Sequence, residues 1–147
     1  MDDNINNIVR QATIETLGEM AFIDAIETED DVSSIRDPIC VGIKLLMPFY
    51  GDLYIICPKN LAIHLVKNVF PAESDNNPSL VNDAILEFCN IVAGKIFQIK
   101  FPEILFELGI PEICSHADRA LNCPLHKKIF LKTFQQEILC VAHKITS

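Results

Sequence analysis

Residues 83–97 read DAILEFCNIVAGKIF, and the fold turns on which side of this stretch is apolar. At about 100° per residue, Val81, Ile85, Phe88, Cys89, Val92 and Ile96 gather on one side of a helix. Asp83, Glu87, Asn90 and Gly94 fall within about 60° of one another on the opposite side, bordered by Ala84, Leu86, Ile91 and Phe97. The pattern predicts a helix capped by Ser79 that runs to about Gln98, with Pro102 as its outer limit. A solvated helix face ordinarily mixes Lys and Arg among its acids, but this stripe has no basic residue before Lys95. Polar groups framed by apolar side chains are what a partner-binding surface looks like. Gly94 weakens the helix but leaves room for close approach beside Asn90.

Working outward, Ile5, Ile8, Val9, Ala12, Leu17, Met20 and Ala21 recur at helical spacing over residues 3–25. A polar loop from Glu27 to Ser34 follows. Residues 40–48 and 51–57 read as a hairpin around Tyr50-Gly51-Asp52, and Pro58 opens a short helix from Asn60 to Phe70. PAESDNNPS, residues 71–79, is a turn-rich linker. Beyond the central helix, 104–114 reads as a strand bent or ended by Pro111, and 127–134 with 137–145 as a second hairpin around Gln135-Gln136. The expectation is one α/β (α+β) domain over residues 1–147, built of pseudo-repeats of about 1–70 and 79–147. Each half is a long helix plus a hairpin, giving a mostly antiparallel sheet covered by two long helices.

Composition narrows the function classes. The chain has 147 residues, 50% hydrophobic and 22% charged, enough to bury a core. Its net charge of −8 opposes binding to a nucleic-acid backbone. The opening MDDNINN has no charged-then-apolar leader, and the greasiest stretch, 39–58, carries Lys44 and Asp52, which are expensive in lipid. A soluble, cytoplasmic protein is expected, with no membrane span. The six cysteines, Cys40, Cys57, Cys89, Cys114, Cys123 and Cys140, mostly sit in apolar runs as small hydrophobes rather than as a disulfide framework.

The pattern Asp83-x3-Glu87-x2-Asn90, with Gly94 one turn on and a strand containing Pro111 about twenty residues later, resembles the helix motif of the CheC/CheX/FliY phosphatases of bacterial chemotaxis. The first-half order of helix, hairpin and short helix matches as well, so the resemblance covers nearly the whole chain. Two-site members of that family carry the Glu-x2-Asn pair on the first helix too; here the corresponding segment is Thr16-Leu-Gly-Glu19, which lacks it. The resemblance is therefore closest to the single-site, CheX-like members, which are homodimers, and strand edges left exposed here could pair in that way.

The resemblance implies hydrolysis of the phospho-aspartate of a CheY-like response regulator. Such an acyl phosphate already lies beside a Mg2+ ion and a lysine of the regulator, so the phosphatase needs no cofactor, metal or nucleophile of its own. It has only to position a water in line with phosphorus. Asn90 suits that task, since its neutral amide both donates and accepts hydrogen bonds without repelling the phosphoryl oxygens. Glu87 is placed to pair with the regulator's lysine. Asp83, Leu86, Ile91 and Gly94 would complete the partner-binding face. The alternative is a non-enzymatic adaptor that holds a regulator or a flagellar-switch component by the same face. Cys114, His116, Cys123 and His126 offer four zinc-type ligands, but their spacing matches no common zinc pattern. His64 and His143 read as surface or satisfied core residues.

Overall fold

The computed structural model describes residues 2–70, 78–114 and 126–146. The elements run α1 (Asp2–Ala21), β1 (Ala25–Thr28), a 3-10 turn (Val32–Ser34), β2 (Pro38–Met47), β3 (Tyr50–Pro58), α2 (Lys59–Val69), α3 (Pro78–Lys100), β4 (Glu107–Leu108), β5 (Glu112–Ile113), β6 (Lys127–Thr133) and β7 (Ile138–Thr146). The strands form one antiparallel sheet in the order β1-β6-β7-β3-β2-β4, with β5 also on β2.

Alternation along the strands decides which face the helices cover. Val41, Ile43 and Leu45 of β2, Leu53, Ile55 and Cys57 of β3, Ile129 and Leu131 of β6, and Leu139 and Val141 of β7 share one core with all three helices. The intervening Cys40, Ile56, Ile138 and Cys140 point the other way and form a small second cluster with Ile35, Tyr54, Cys114 and Phe130. Three helices on one face of an open antiparallel sheet is thus the architecture, where two long helices were expected to dominate.

Three local expectations need correction. The predicted polar loop begins as a strand: Ala25–Thr28 pairs with β6, and Arg10 of α1 holds Glu27 at 2.6 Å. The predicted strand over 104–114 is two short pieces, β4 and β5, strung along β2 and broken where Gly109 to Pro111 intervene. Proline has no N–H to give the ladder, so pairing stops there. Ser79 is the second residue of α3 rather than its cap, because the helix starts at Pro78, the first-turn position proline favours.

Helix α1 ends with backbone bonds from Phe22 N to Gly18 O (3.1 Å) and Ile23 N to Leu17 O (3.2 Å). The Phe22 bond is that of the αL cap, in which the residue after the last turn adopts a left-handed conformation and its N–H reaches the carbonyl four residues back. Phe22 takes that position with φ 56° while its side chain is 83% exposed. A non-glycine residue there costs about 1–2 kcal/mol. Phe22→Gly should therefore raise stability by about 1 kcal/mol, read as a higher urea midpoint at unchanged slope; a lower midpoint would show that the Phe22 ring makes a contact worth more than the strain.

Candidate functional site

Helix α3 is buried over more than half of its circumference. Ala84, Ile85, Phe88, Cys89, Val92, Ala93, Ile96 and Phe97 are all fully inaccessible. Ala84 and Phe97, expected to border the polar stripe as open surface, are core residues instead. Leu86 is half-buried against the same core. Outside this arc, Asp83 and Glu87 are exposed, as are Asn82 and Gln98, and Asn90, Ile91 and Gly94 are half-buried. The structure thus brings Asp83, Glu87, Asn90 and Gly94 onto one strip, with Glu87 and Asn90 separated by about 4.5 Å of axial rise.

Both neighbours of this strip hold it in place. Along α1, Lys95 reaches Glu19 at 2.9 Å and Glu15 at 3.8 Å, and its side chain is only 17% exposed. At the C-terminal end, Phe97 packs against Phe49 (4.5 Å between ring centroids) and stacks on Phe106 (5.2 Å). The tip of Phe106 lies 3.7 Å from where a Cβ on Gly94 would sit. The opening at Gly94 is therefore shared with the chain's own Phe106. These two clamps were not recognised from sequence. Their only trace there is a single lysine on an otherwise acidic helix and the spacing of Phe97, Phe101 and Phe106.

The corresponding stretch of α1 offers no second site. Thr16 is fully buried and its hydroxyl donates to the Ala12 carbonyl at 2.7 Å, while Glu19 is occupied by Lys95. His143 is a core residue, 3% exposed with Nε2 at 2.5 Å from Asn6 Oδ1, and His64 is half-buried on α2. Of the four zinc-type residues, His116 and Cys123 lie outside the described residues. Cys114 and His126 flank Tyr54 on the face of the sheet away from the helices. Among the described residues no three or more His, Cys, Asp or Glu side chains gather as a metal site.

A separate cavity of about 440 Å3 lies at the β6–β7 turn, lined by residues that include Arg36, Lys59 and Glu137. Both carboxylate oxygens of Glu137 are buried with no hydrogen-bond partner among the described residues. Burial raises its pKa, an effect His64 partly offsets. A carboxyl that holds its proton more tightly folded than unfolded loses stability as pH rises from the ordinary carboxylate range through the raised value. Glu137→Gln should accordingly be more stable than the parent near neutral pH, with the gain fading below about pH 4; equal stabilities at both pH values by urea denaturation would refute this. Gly94→Ala should also stabilise, by up to about 1 kcal/mol, because 3.7 Å is ordinary contact with Phe106; a loss in urea denaturation would show that Phe106 cannot yield.

Comparison with known proteins follows the same lines. The family model described as chemotaxis phosphatase CheX matches residues 39–135, well over half of the chain. The crystal structure of CheX from Vibrio vulnificus superposes with a TM-score of 0.77 at 17% identity, covering 97% of this chain and 96% of that one. A CheX–CheY–BeF3–Mg2+ complex from Borrelia burgdorferi gives 0.69 at 14% identity, covering 96% and 97%. FliY from Thermotoga maritima gives 0.59 at 13% identity, covering 98% and 86%. Set against curated proteins by sequence, the chain matches none. At these identities the superpositions establish the fold, and the family model establishes the kinship: this chain belongs to the CheX family of chemotaxis phosphatases.

Proposed function

We propose that this protein hydrolyses the phospho-aspartate of a CheY-like response regulator, with Asn90 and Glu87 of α3 as its working pair. The observation that carries the reading is the strip itself: Glu87 exposed and Asn90 half-buried, one turn apart on a helix whose other sides are locked in the core. A convex strip of this kind cannot enclose a small substrate, but it can enter the cleft of a partner. The relative from Borrelia burgdorferi, which shares the fold, forms a complex with CheY, and that supports a regulator as the partner here.

In the proposed mechanism the regulator contributes the acyl phosphate, the lysine and a Mg2+ ion. Glu87 pairs with the lysine, a charge-assisted contact that fixes the helix in the cleft. The Asn90 amide accepts a hydrogen bond from the attacking water and donates one towards the phosphoryl group, holding the water in line while adding no negative charge. Water attacks phosphorus, the P–O bond to the aspartate breaks, and the carboxylate leaves with its electron pair. Asp83 lies one turn before Glu87 on the same exposed strip and helps orient the approach. Ile91 and Leu86 supply apolar contact at the margin. No helix among the described residues is long and apolar enough to cross a membrane; a cytoplasmic location is part of this proposal. Exposed Phe22 and Ile26 near edge strand β1, with Phe134 beside them, support the further expectation of a homodimer.

Asn90→Ala should lower the rate of phosphate release from a phosphorylated CheY-like regulator by about 10²-fold or more while leaving regulator binding largely intact. Glu87→Ala should weaken both, with binding reduced about tenfold or more. Time-resolved dephosphorylation of candidate regulators, beside a binding titration, reads both effects. If the parent binds the regulator but both variants and parent leave its phosphoryl group equally long-lived, the adaptor reading replaces the enzyme.

A further inference from the structure

On the sheet face away from the helices, β5 brings a second thiol onto β2. The register pairs Val41 with Ile113 and Gly42 with Glu112, so the next pair along the ladder is Cys40 with Cys114. The backbone completes it, with Cys114 N donating to Cys40 O at 2.8 Å. Both side chains belong to the same small cluster on this face. Directly opposed residues of an antiparallel pair have Cα atoms about 4.5–5.5 Å apart, inside the range a disulfide spans. The Cys114 thiol donates to the Glu112 carbonyl at 3.7 Å.

Gly42 makes room for this arrangement. A Cβ there would lie 3.2 Å from Cys114 Sγ and 2.7 Å from the Tyr54 ring. The gap opens outward into a cleft of about 130 Å3 lined by residues that include Gly42, Lys44, Asp52, Tyr54 and Cys114. Cys114 is half-buried and borders that cleft, whereas Cys40 is 3% exposed beneath it. The other described cysteines are out of reach. Cys57 and Cys89 lie on the helix side of the sheet. Cys140 is aligned with Cys40 through the intervening Ile56, two strand spacings or about 9.6 Å away.

We propose that Cys114 and Cys40 form a reversible redox-modification site, oxidised by a small hydroperoxide entering the Tyr54 cleft. The Cys114 sulfur attacks the peroxide, the O–O bond breaks, and one oxygen leaves as water or an alcohol, giving a sulfenic acid. The Cys40 sulfur then displaces that oxygen, which departs as water with the Cys40 proton, and an S–S bond remains. The dithiol loses two electrons and the peroxide gains them; a small thiol reductant reverses the change. Burial raises the pKa of both thiols, so the thiolate fraction is small at neutral pH and oxidation quickens as pH rises. The product would tie β5 covalently to β2, and with it the segment that leads back through Phe106 to the end of α3.

Treatment of the full chain with hydrogen peroxide, then alkylation of the remaining thiols and intact-mass and peptide-mapping spectrometry without reductant, tests the proposal. The expected result is loss of two hydrogens, a single Cys40–Cys114 linked peptide pair, and complete reversal by dithiothreitol. Cys114→Ser should abolish the linkage, Cys123→Ser should retain it, and Cys40→Ser should leave a sulfenic acid on Cys114 that dimedone traps. A melting curve of each variant before oxidation confirms that it folds. The proposal is overturned by a linkage through Cys123 or Cys140, by both thiols remaining alkylatable after prolonged oxidation, or by a stoichiometric bound metal that shields them.

Discussion

The rotation of α3 about its own axis is the constraint on which the site depends. Eight fully buried residues, from Ala84 to Phe97, occupy an arc of about 220° on the wheel. Slipping the helix by one residue turns it by about 100° and would carry Glu87 towards the sheet, where an unpaired carboxylate costs several kcal/mol. The same slip would expose side chains such as Phe88 or Ile85, each worth about 1.5–3 kcal/mol of burial. Core packing and charge desolvation therefore demand the same angle. Because the strip lies outside this arc, its direction follows from the core rather than from any interaction the strip itself makes.

The two halves of the chain divide this work unequally. Short strands after each long helix cross to the other half's hairpin: β1 pairs with β6, while β4 and β5 pair with β2. Neither half completes its own sheet edge, which fits our proposal that they are pseudo-repeats within one domain. On α1, Thr13 and Thr16 are buried and bond back to the carbonyls of Val9 and Ala12, so that surface packs rather than presents. The α1 acids Glu15 and Glu19 instead meet Lys95 of α3. The first helix has become a support for the second.

Much of this was legible in the sequence because it depends only on period. The hairpins β2–β3 and β6–β7, all three helices and the angular position of Glu87 and Asn90 follow from spacings of about 2 and 3.6 residues. What escaped depends on partners distant in the chain. Ala25–Thr28 is four residues with no buried position, and β4 and β5 are two residues each; such pieces are strands only because β6 and β2 offer ladders to them. Ala84 and Phe97 looked like borders because a wheel reports angle, not how widely neighbours wrap. Their burial required knowing that α1 and α2 both pack against α3 and that Phe49 and Phe106 close over Phe97.

That wrapping bears on how an exposed helix strip could act on a phosphoryl group. In the proposed chemistry the protein's contribution is geometric, and misplacement by about 1 Å is enough to lose most of it. Side chains on a helix free to rock would not meet that standard. Here α3 is clamped on two sides towards its C-terminal end, by the Lys95 ion pairs on one side and the Phe49–Phe97–Phe106 stack on the other. Asn90 is itself half-buried, which limits its rotamers before any partner arrives. Glu87, on the exposed side of the strip, keeps the freedom to find a lysine. One residue held and one residue mobile is the division expected of a site in which the amide must be placed in advance and the carboxylate has only to dock.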